Sequence, residues 1–192
     1  MRIKIYLIIV LLIVTGVLFV FRQKEGDGAM ANSNHKVLVA YFSRTGEQYG
    51  VGNIKKGNTA IIAEMIADAT GGDLFEIKVA KDDYPEEYDA LVNYARVEKQ
   101  KNARPELAGK IKEFDKYDVV FLGYPNWWGD MPMPVYTFID SYDLSSKQVY
   151  HFCTHEGSGS VKKGLAVYGH VAQNERETAK KKVDEWLKTL DL

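Results

Sequence analysis

The stretch Val37-Leu38-Val39-Ala40-Tyr41-Phe42, running directly into Ser43-Arg44-Thr45-Gly46, decides the fold. Its near-continuous apolar character leaves no polar face, as expected of a strand covered on both sides in a parallel sheet. The loop that follows ends at Gly57-Asn58-Thr59, where a helical period begins. Ile61, Ile62, Met65, Ile66 and Ala69 share one face of a helix predicted over 59–69, and Gly71-Gly72 stops it.

Working outward, the same alternation recurs. Leu74 to Val79 reads as a second strand, and Pro85 to about Lys99 as a helix with Pro85 in its first turn. Tyr88, Leu91, Val92 and Ala95 fall on one side of that helix. A short helical piece around Leu107 to Phe114 precedes a dense third strand, Val119 to Gly123. Pro132 and Pro134 open a helix to about Tyr142, Val149 to Cys153 forms the fourth strand, and Gly164 to Val167 the fifth. The last helix lines up Ala179, Val183, Trp186, Leu187 and Leu190, with Asn174 and Glu177 as a capping box. Strands joined by helical crossovers predict an α/β fold with a parallel sheet covered on both faces. About ten residues separate the fourth and fifth strands, too few for an ordinary crossover helix, so that helix is predicted to be shortened or missing.

Composition sets the outer limits. Of 192 residues 46% are hydrophobic and 27% charged, the balance of a folded protein. A single cysteine, Cys153, excludes an intramolecular disulfide framework and multi-cysteine zinc or iron–sulfur sites, and reads as a small buried hydrophobe. His35, His151, His155 and His170 show no ligand spacing, so no metal site is expected.

Ile5 to Phe21 is an apolar run of 17 residues suited to a membrane, flanked by Arg2 and Lys4 before it. Arg22 and Lys24 after it are offset by Glu25 and Asp27, which predicts a cytoplasmic N-terminus and an exported domain. Two readings stay open: an uncleaved single-pass anchor in the cell membrane, or a secretory signal with Ala29-Met30-Ala31 as the processing site and a secreted domain. Residues 1–31 thus form an anchor or signal plus linker, and 32–192 the folded domain. Setting aside the four basic and two acidic side chains of that segment from the chain's 25 and 26 leaves the domain 21 against 24, a net charge of −3. This balance argues against a nucleic-acid partner.

In open parallel sheets, ligands bind beyond the carboxyl ends of the strands. The loop after the first strand offers hydroxyls, glycines and a helix N-terminus, the makings of a phosphate cradle, but lacks the lysine of a P-loop. The loop after the third strand, Tyr124-Pro125-Asn126-Trp127-Trp128-Gly129-Asp130, sets two tryptophans where both cannot enter the core, leaving a stacking surface for a flat ring. The loop after the fourth, Thr154-His155-Glu156-Gly157-Ser158-Gly159-Ser160, brings backbone groups close to a ligand edge. Ser158 lies three residues from His155 without a third orienting group, which argues against a hydrolase triad.

In this order, Tyr-Phe-Ser with its hydroxyl and glycine loop, Pro-Asn-Trp-Trp-Gly and Thr-His-Glu-Gly-Ser-Gly resemble the flavodoxin family. The likeness is nearest to a branch with Met-Pro-Met-Pro after the tryptophan loop, here Met131 to Pro134, and spans about residues 36 to 190. The resemblance implies a doubly wound sheet of strand order 2-1-3-4-5 and non-covalent FMN. It further implies that Ser43, Arg44, Thr45, Gly57, Asn58 and Thr59 hold the phosphate. The ring would lie between Pro125, Asn126, Trp127, Trp128 and Gly129 on one side and Thr154, His155, Glu156, Gly157 and Gly159 on the other. No residue is expected to act as a catalytic acid or nucleophile, since the flavin carries the electrons. Asp130 and Glu156 are candidates for acidic charge near the ring, which would disfavour the reduced anion.

The excursion Glu47 to Lys56 departs from a plain flavodoxin phosphate loop, and Lys55 and Lys56 would add cationic charge there. The implied function is an electron carrier exchanging with a redox protein or a small donor or acceptor. The alternatives are an NAD(P)H-dependent FMN reductase acting on a quinone or other small acceptor, and a flavin-free interaction domain.

Overall fold

The computed structural model describes residues 35–157 and 164–192. The N-terminal apolar run, the division between residues 31 and 32, and Gly159 lie outside the described residues.

Five strands form one sheet: β1 (Val37–Tyr41), β4 (Asp73–Glu76), β5 (Val119–Pro125), β6 (Gln148–His155) and β7 (Leu165–Tyr168). Their order is β4-β1-β5-β6-β7 and every pairing is parallel, the predicted 2-1-3-4-5 arrangement. The helices are α1 (Asn58–Thr70), α2 (Tyr88–Gln100), α3 (Met133–Ser141), α4 (Gly169–Asn174) and α5 (Arg176–Leu187). Because successive strand side chains point to opposite faces, β1 feeds two cores. Val37, Val39 and Tyr41 pack with Ile62 of α1 and Val183 of α5. Leu38, Ala40 and Phe42 pack with Leu91 of α2 and Phe138 of α3. All five residues of β1 are buried, which is why it reads as an unbroken apolar run.

α1 ends where expected, at Gly71, whose φ of 67° gives the left-handed turn that releases the chain. The excursion 47–56 holds a small antiparallel hairpin, β2 (Gly46–Gln48) with β3 (Gly52–Ile54). Its docking moves the start of α2. The Glu47 amide donates to the Glu86 carbonyl at 3.0 Å, and the Glu47 carboxylate accepts from the Tyr88 amide at 3.0 Å. Residues 85–87 therefore stay outside the helix, and Pro85 is not in its first turn. The piece around Leu107 to Phe114 is not helical either. Leu107 bridges Val79 antiparallel, and only a single 3-10 turn, Phe114–Lys116, follows. The Asn174–Glu177 capping box does not form, because Asn174 ends α4 and Glu175 caps α5 without a side-chain bond.

β6 and β7 are joined by nine residues, 156–164, yet they pair in parallel. The register explains how so short a link suffices. Leu165 pairs with Phe152, so β7 begins three residues before the end of β6 and the chain returns only about 10 Å.

His151 sits on β6 with its ring against Tyr124 at 6.0 Å, and its buried Nδ1 has no hydrogen-bond partner among the described residues. Burial pulls its pKa below the ordinary imidazole value. The unfolded chain thus binds a proton that the folded chain resists. Stability is complete above the unfolded pKa of about 6.5 and falls as pH drops through it toward the folded value. His155, lowered chiefly by burial, adds to the same slope. A His151→Phe chain is expected to lose stability less steeply than wild type in denaturant melts between about pH 7 and about pH 5. Parallel curves would contradict this account.

Candidate functional site

The carboxyl ends of β1, β5 and β6 open into a cavity of about 530 Å³, within the size range of small-molecule sites. All three predicted loops reach it. From the first, Ser43, Arg44, Asn58 and Thr59 line the cavity, whereas Thr45 and Gly57 do not. Gly57 acts from behind. A Cβ on it would stand 2.1 Å from Ser43 Oγ and 2.5 Å from the Arg44 carbonyl, so only glycine lets the loop close onto the start of α1.

The closure orders the helix end. Ser43 Oγ accepts from the Ala60 amide at 3.1 Å, and the Gly57 carbonyl accepts from Ile61. The amides of Asn58 and Thr59 have no acceptor among the described residues. Free N–H groups at the positive end of a 13-residue helix are donors suited to an anion. The Thr59 hydroxyl meets that of Thr154 at 2.8 Å, both buried, which ties the first loop to the third.

Arg44 behaves differently from a free phosphate-binding cation. Its Nη1 donates to both carboxylate oxygens of Asp82 at 2.7 and 2.6 Å, and Nη2 to the Tyr84 carbonyl at 3.1 Å. The guanidinium also lies over the Tyr84 ring at 5.2 Å. What remains is Nε–H, buried and without an acceptor among the described residues. The Asn58 side chain is likewise engaged, accepting from Gln173 at 2.8 Å. Lys56 pairs with Glu64 on α1, so its charge is partnered outside the cavity.

In the second loop Pro125, Asn126, Trp127, Trp128 and Gly129 all line the cavity. Trp127 and Asp130 exchange backbone hydrogen bonds at 3.0 and 3.1 Å around Trp128 and Gly129, both at positive φ (54° and 72°). Two successive positive φ values are the mark of a type I′ turn. The turn separates the indoles. Trp127 packs inward on Phe42 and Tyr84 at 5.4 and 5.7 Å, while Trp128 is 50% exposed and donates Nε1–H to the Val92 carbonyl at 3.0 Å.

Asp130, one of the two candidate acids, is neutralised in place. Burial opposes its charge, but the Tyr136 hydroxyl, the Met131 amide and the Lys99 ammonium outweigh it and hold the carboxyl below its ordinary pKa. From the third loop Thr154, His155 and Glu156 line the cavity, and Gly157 does not. Glu156 is the acid that faces the site. Its carboxylate accepts from the His170 amide at 2.6 Å and pairs with His170 Nδ1 at 2.7 Å. Among the described residues no cluster could hold a metal ion.

The flavodoxin family model matches residues 36–188, nearly all of the described chain. The chain belongs to the flavodoxin family. It is similar to a protein assigned as a flavoprotein from Bacteroides eggerthii, with 30% identity over 83% of this chain and 99% of that one, and a TM-score of 0.63. A protein with the same assignment from Bacteroides uniformis matches at 31% identity over 81% and 99%, with a TM-score of 0.62. A flavoprotein from Lactobacillus acidophilus, in complex with FMN, matches at 23% identity over 80% and 99%, with a TM-score of 0.54. No curated protein matches the chain.

This flavodoxin-family cavity has a side that the motifs did not reveal. Gln48 and Tyr49 of the hairpin, and Tyr88, Leu91, Val92 and Ala95 of α2, complete its lining. The α2 residues were legible as an apolar stripe, and a stripe reads as core. Only Leu91 and Ala95 are buried; Tyr88 and Val92 are partly open.

Proposed function

We propose that this domain binds FMN non-covalently and serves as an electron-transfer protein, held outside the cytoplasmic membrane by its N-terminal apolar segment. One observation carries the reading. An anion site and an aromatic turn, from parts of the chain some seventy residues apart, open into one cavity. The residues present suit the cofactor. The Asn58 and Thr59 amides and the orphaned Arg44 Nε–H are donors lacking acceptors, which phosphate oxygens would supply. The Lactobacillus acidophilus relative in complex with FMN supports the same assignment.

FMN bound there supplies one- and two-electron redox chemistry. Around it, the chain's part is to bind, orient and set charge. Gly57 and Ser43 hold the helix N-terminus open to the phosphate, and the Trp127-to-Gly129 turn borders the ring site. The Glu156 carboxylate, held by the His170 amide and ring, lies beside that site. Exchange would be with a redox protein or a small donor or acceptor. Residues 5–21 would place the domain on the outer face, as a single-pass anchor or as a processed signal releasing it.

Titrating the purified full-length chain with FMN is expected to quench flavin fluorescence with a micromolar or tighter dissociation constant. Unquenched flavin in the presence of excess folded protein would remove the cofactor assignment. Steady NAD(P)H oxidation by the loaded chain alone would favour a reductase over a carrier.

A further inference from the structure

The short helix α4 stands outside the cavity but touches two of the loops that form it. At its start Tyr168 supplies no side-chain cap, and the Glu156 carboxylate of the third loop takes that place by accepting from the His170 amide at 2.6 Å. Val171 and Ala172 are buried against the core beside α1. Gly169 lies so close to both loops that a Cβ on it would stand 2.3 Å from Asn58 Nδ2 and 2.8 Å from Glu156 Oε1. Packing on one side and the two loops on the other leave this helix little room to shift.

From its last turn Gln173 reaches the first loop, 115 positions back in the chain. Its side-chain amide donates to the Lys56 carbonyl at 2.6 Å and to Asn58 Oδ1 at 2.8 Å. These two acceptors flank Gly57, the residue that lets the loop close onto α1. In a planar trans peptide the carbonyl and the following N–H point in opposite directions. The bond to the Lys56 carbonyl therefore turns the Gly57 N–H away from α4, and that N–H has no acceptor among the described residues. Next along the chain come the Asn58 and Thr59 amides, which are free as well. A glutamine serving only to fasten one helix to another would bond to α1 itself. This one grips the segment that leads into α1, where the backbone has no helical bonds of its own to hold it.

We propose that Gln173 is a positioning residue for the FMN phosphate. It holds the backbone of residues 56–58 from behind, so that the free amides of Asn58 and Thr59 stay presented to the cavity. It does not touch the cofactor. Its consequence is specificity, because a support behind the phosphate donors favours a flavin that carries phosphate over riboflavin, which lacks it. This deepens the FMN reading and rests on it.

The test compares FMN with riboflavin in fluorescence titrations of the full-length chain and two variants. Gln173→Met keeps the length of the side chain and removes its donor; Gln173→Ala removes both length and donor. Both variants are expected to weaken FMN binding about five- to tenfold, the size of one or two lost hydrogen bonds, and riboflavin binding by less than about twofold. The phosphorus-31 resonance of bound FMN is expected to shift in both, and it decides the matter if riboflavin binds too weakly to titrate. A merely structural glutamine would lower both flavin affinities together and leave the resonance in place. An FMN-to-riboflavin affinity ratio within about twofold of wild type overturns the proposal, and so does a ratio that changes in Gln173→Ala but not in Gln173→Met, which would trace the effect to packing. Either result leaves the flavin site standing. A folded wild-type chain that takes up no FMN overturns both readings.

Discussion

A Gly57→Ala chain is expected to lose up to about a hundredfold in FMN affinity while remaining folded. The added methyl would stand 2.1 Å from Ser43 Oγ and 2.5 Å from the Arg44 carbonyl, and neither is the free end of a flexible side chain. Ser43 holds the Ala60 amide, and Arg44 is anchored on Asp82, so relief requires the loop to lift from α1 as a unit. That movement displaces Arg44 relative to the free amides of Asn58 and Thr59, the donors proposed to share the phosphate. Overpacking of this kind costs about 1–3 kcal/mol, and at the upper end, concentrated on the donor geometry, about 3 kcal/mol is a hundredfold. Gly109→Ala, where nothing lies within 4 Å, is the control. Fluorescence titration against FMN reads the result, and an affinity within about threefold of wild type would mean that the 57–59 corner does not hold the phosphate.

The largest effect on stability is expected at Gly123. It lies in β5, between β1 and β6, and a Cβ there would fall 2.0, 2.3 and 2.6 Å from three atoms of the Phe152 ring. Phe152 is fully buried among the α1- and α5-side core, so its ring has nowhere to swing. Gly123→Ala should cost about 3 kcal/mol or more, lowering the melting temperature by about 6–12 °C in a domain of this size. Phe152→Leu in the same chain should recover part of the loss by vacating the ring's space. If the single variant melts with wild type, the close approach of strand and ring is not a feature of the native packing.

These two glycines show how unevenly the molecule can be read from its residues. Gly123 looks like the unremarkable end of an apolar strand, and its neighbour Phe152 is 29 positions away. Gly57 is visible as one of several glycines in a promising loop, but its role as a support behind the lining, and not a part of it, depends on where Ser43 and Arg44 fold back. Arg44 was legible as a cation near an anion site. Its engagement with Asp82 was not, because the partner lies 38 residues on, in a segment that carries no motif.

The two-sided burial of β1 and the limits of α1 were legible because each follows from local periodicity, whereas the strand order followed from the resemblance to flavodoxins and the meeting of the three loops from the rule for open parallel sheets. A run without a polar residue must be covered on both faces, and a glycine pair must end a helix whose stripe stops there. The docking of the hairpin on α2, the choice of which tryptophan turns outward, the late start of α2 and the register that lets so short a link enter β7 were not, because each is settled by a contact between segments distant in the chain. Glu47 competes for the first amide of α2, Val92 draws one indole outward while Phe42 and Tyr84 hold the other in, and the register of Leu165 on Phe152 shortens the return path. Periodicity reports which side of an element is apolar. Whether that side faces the interior or a cavity depends on what the rest of the chain brings against it.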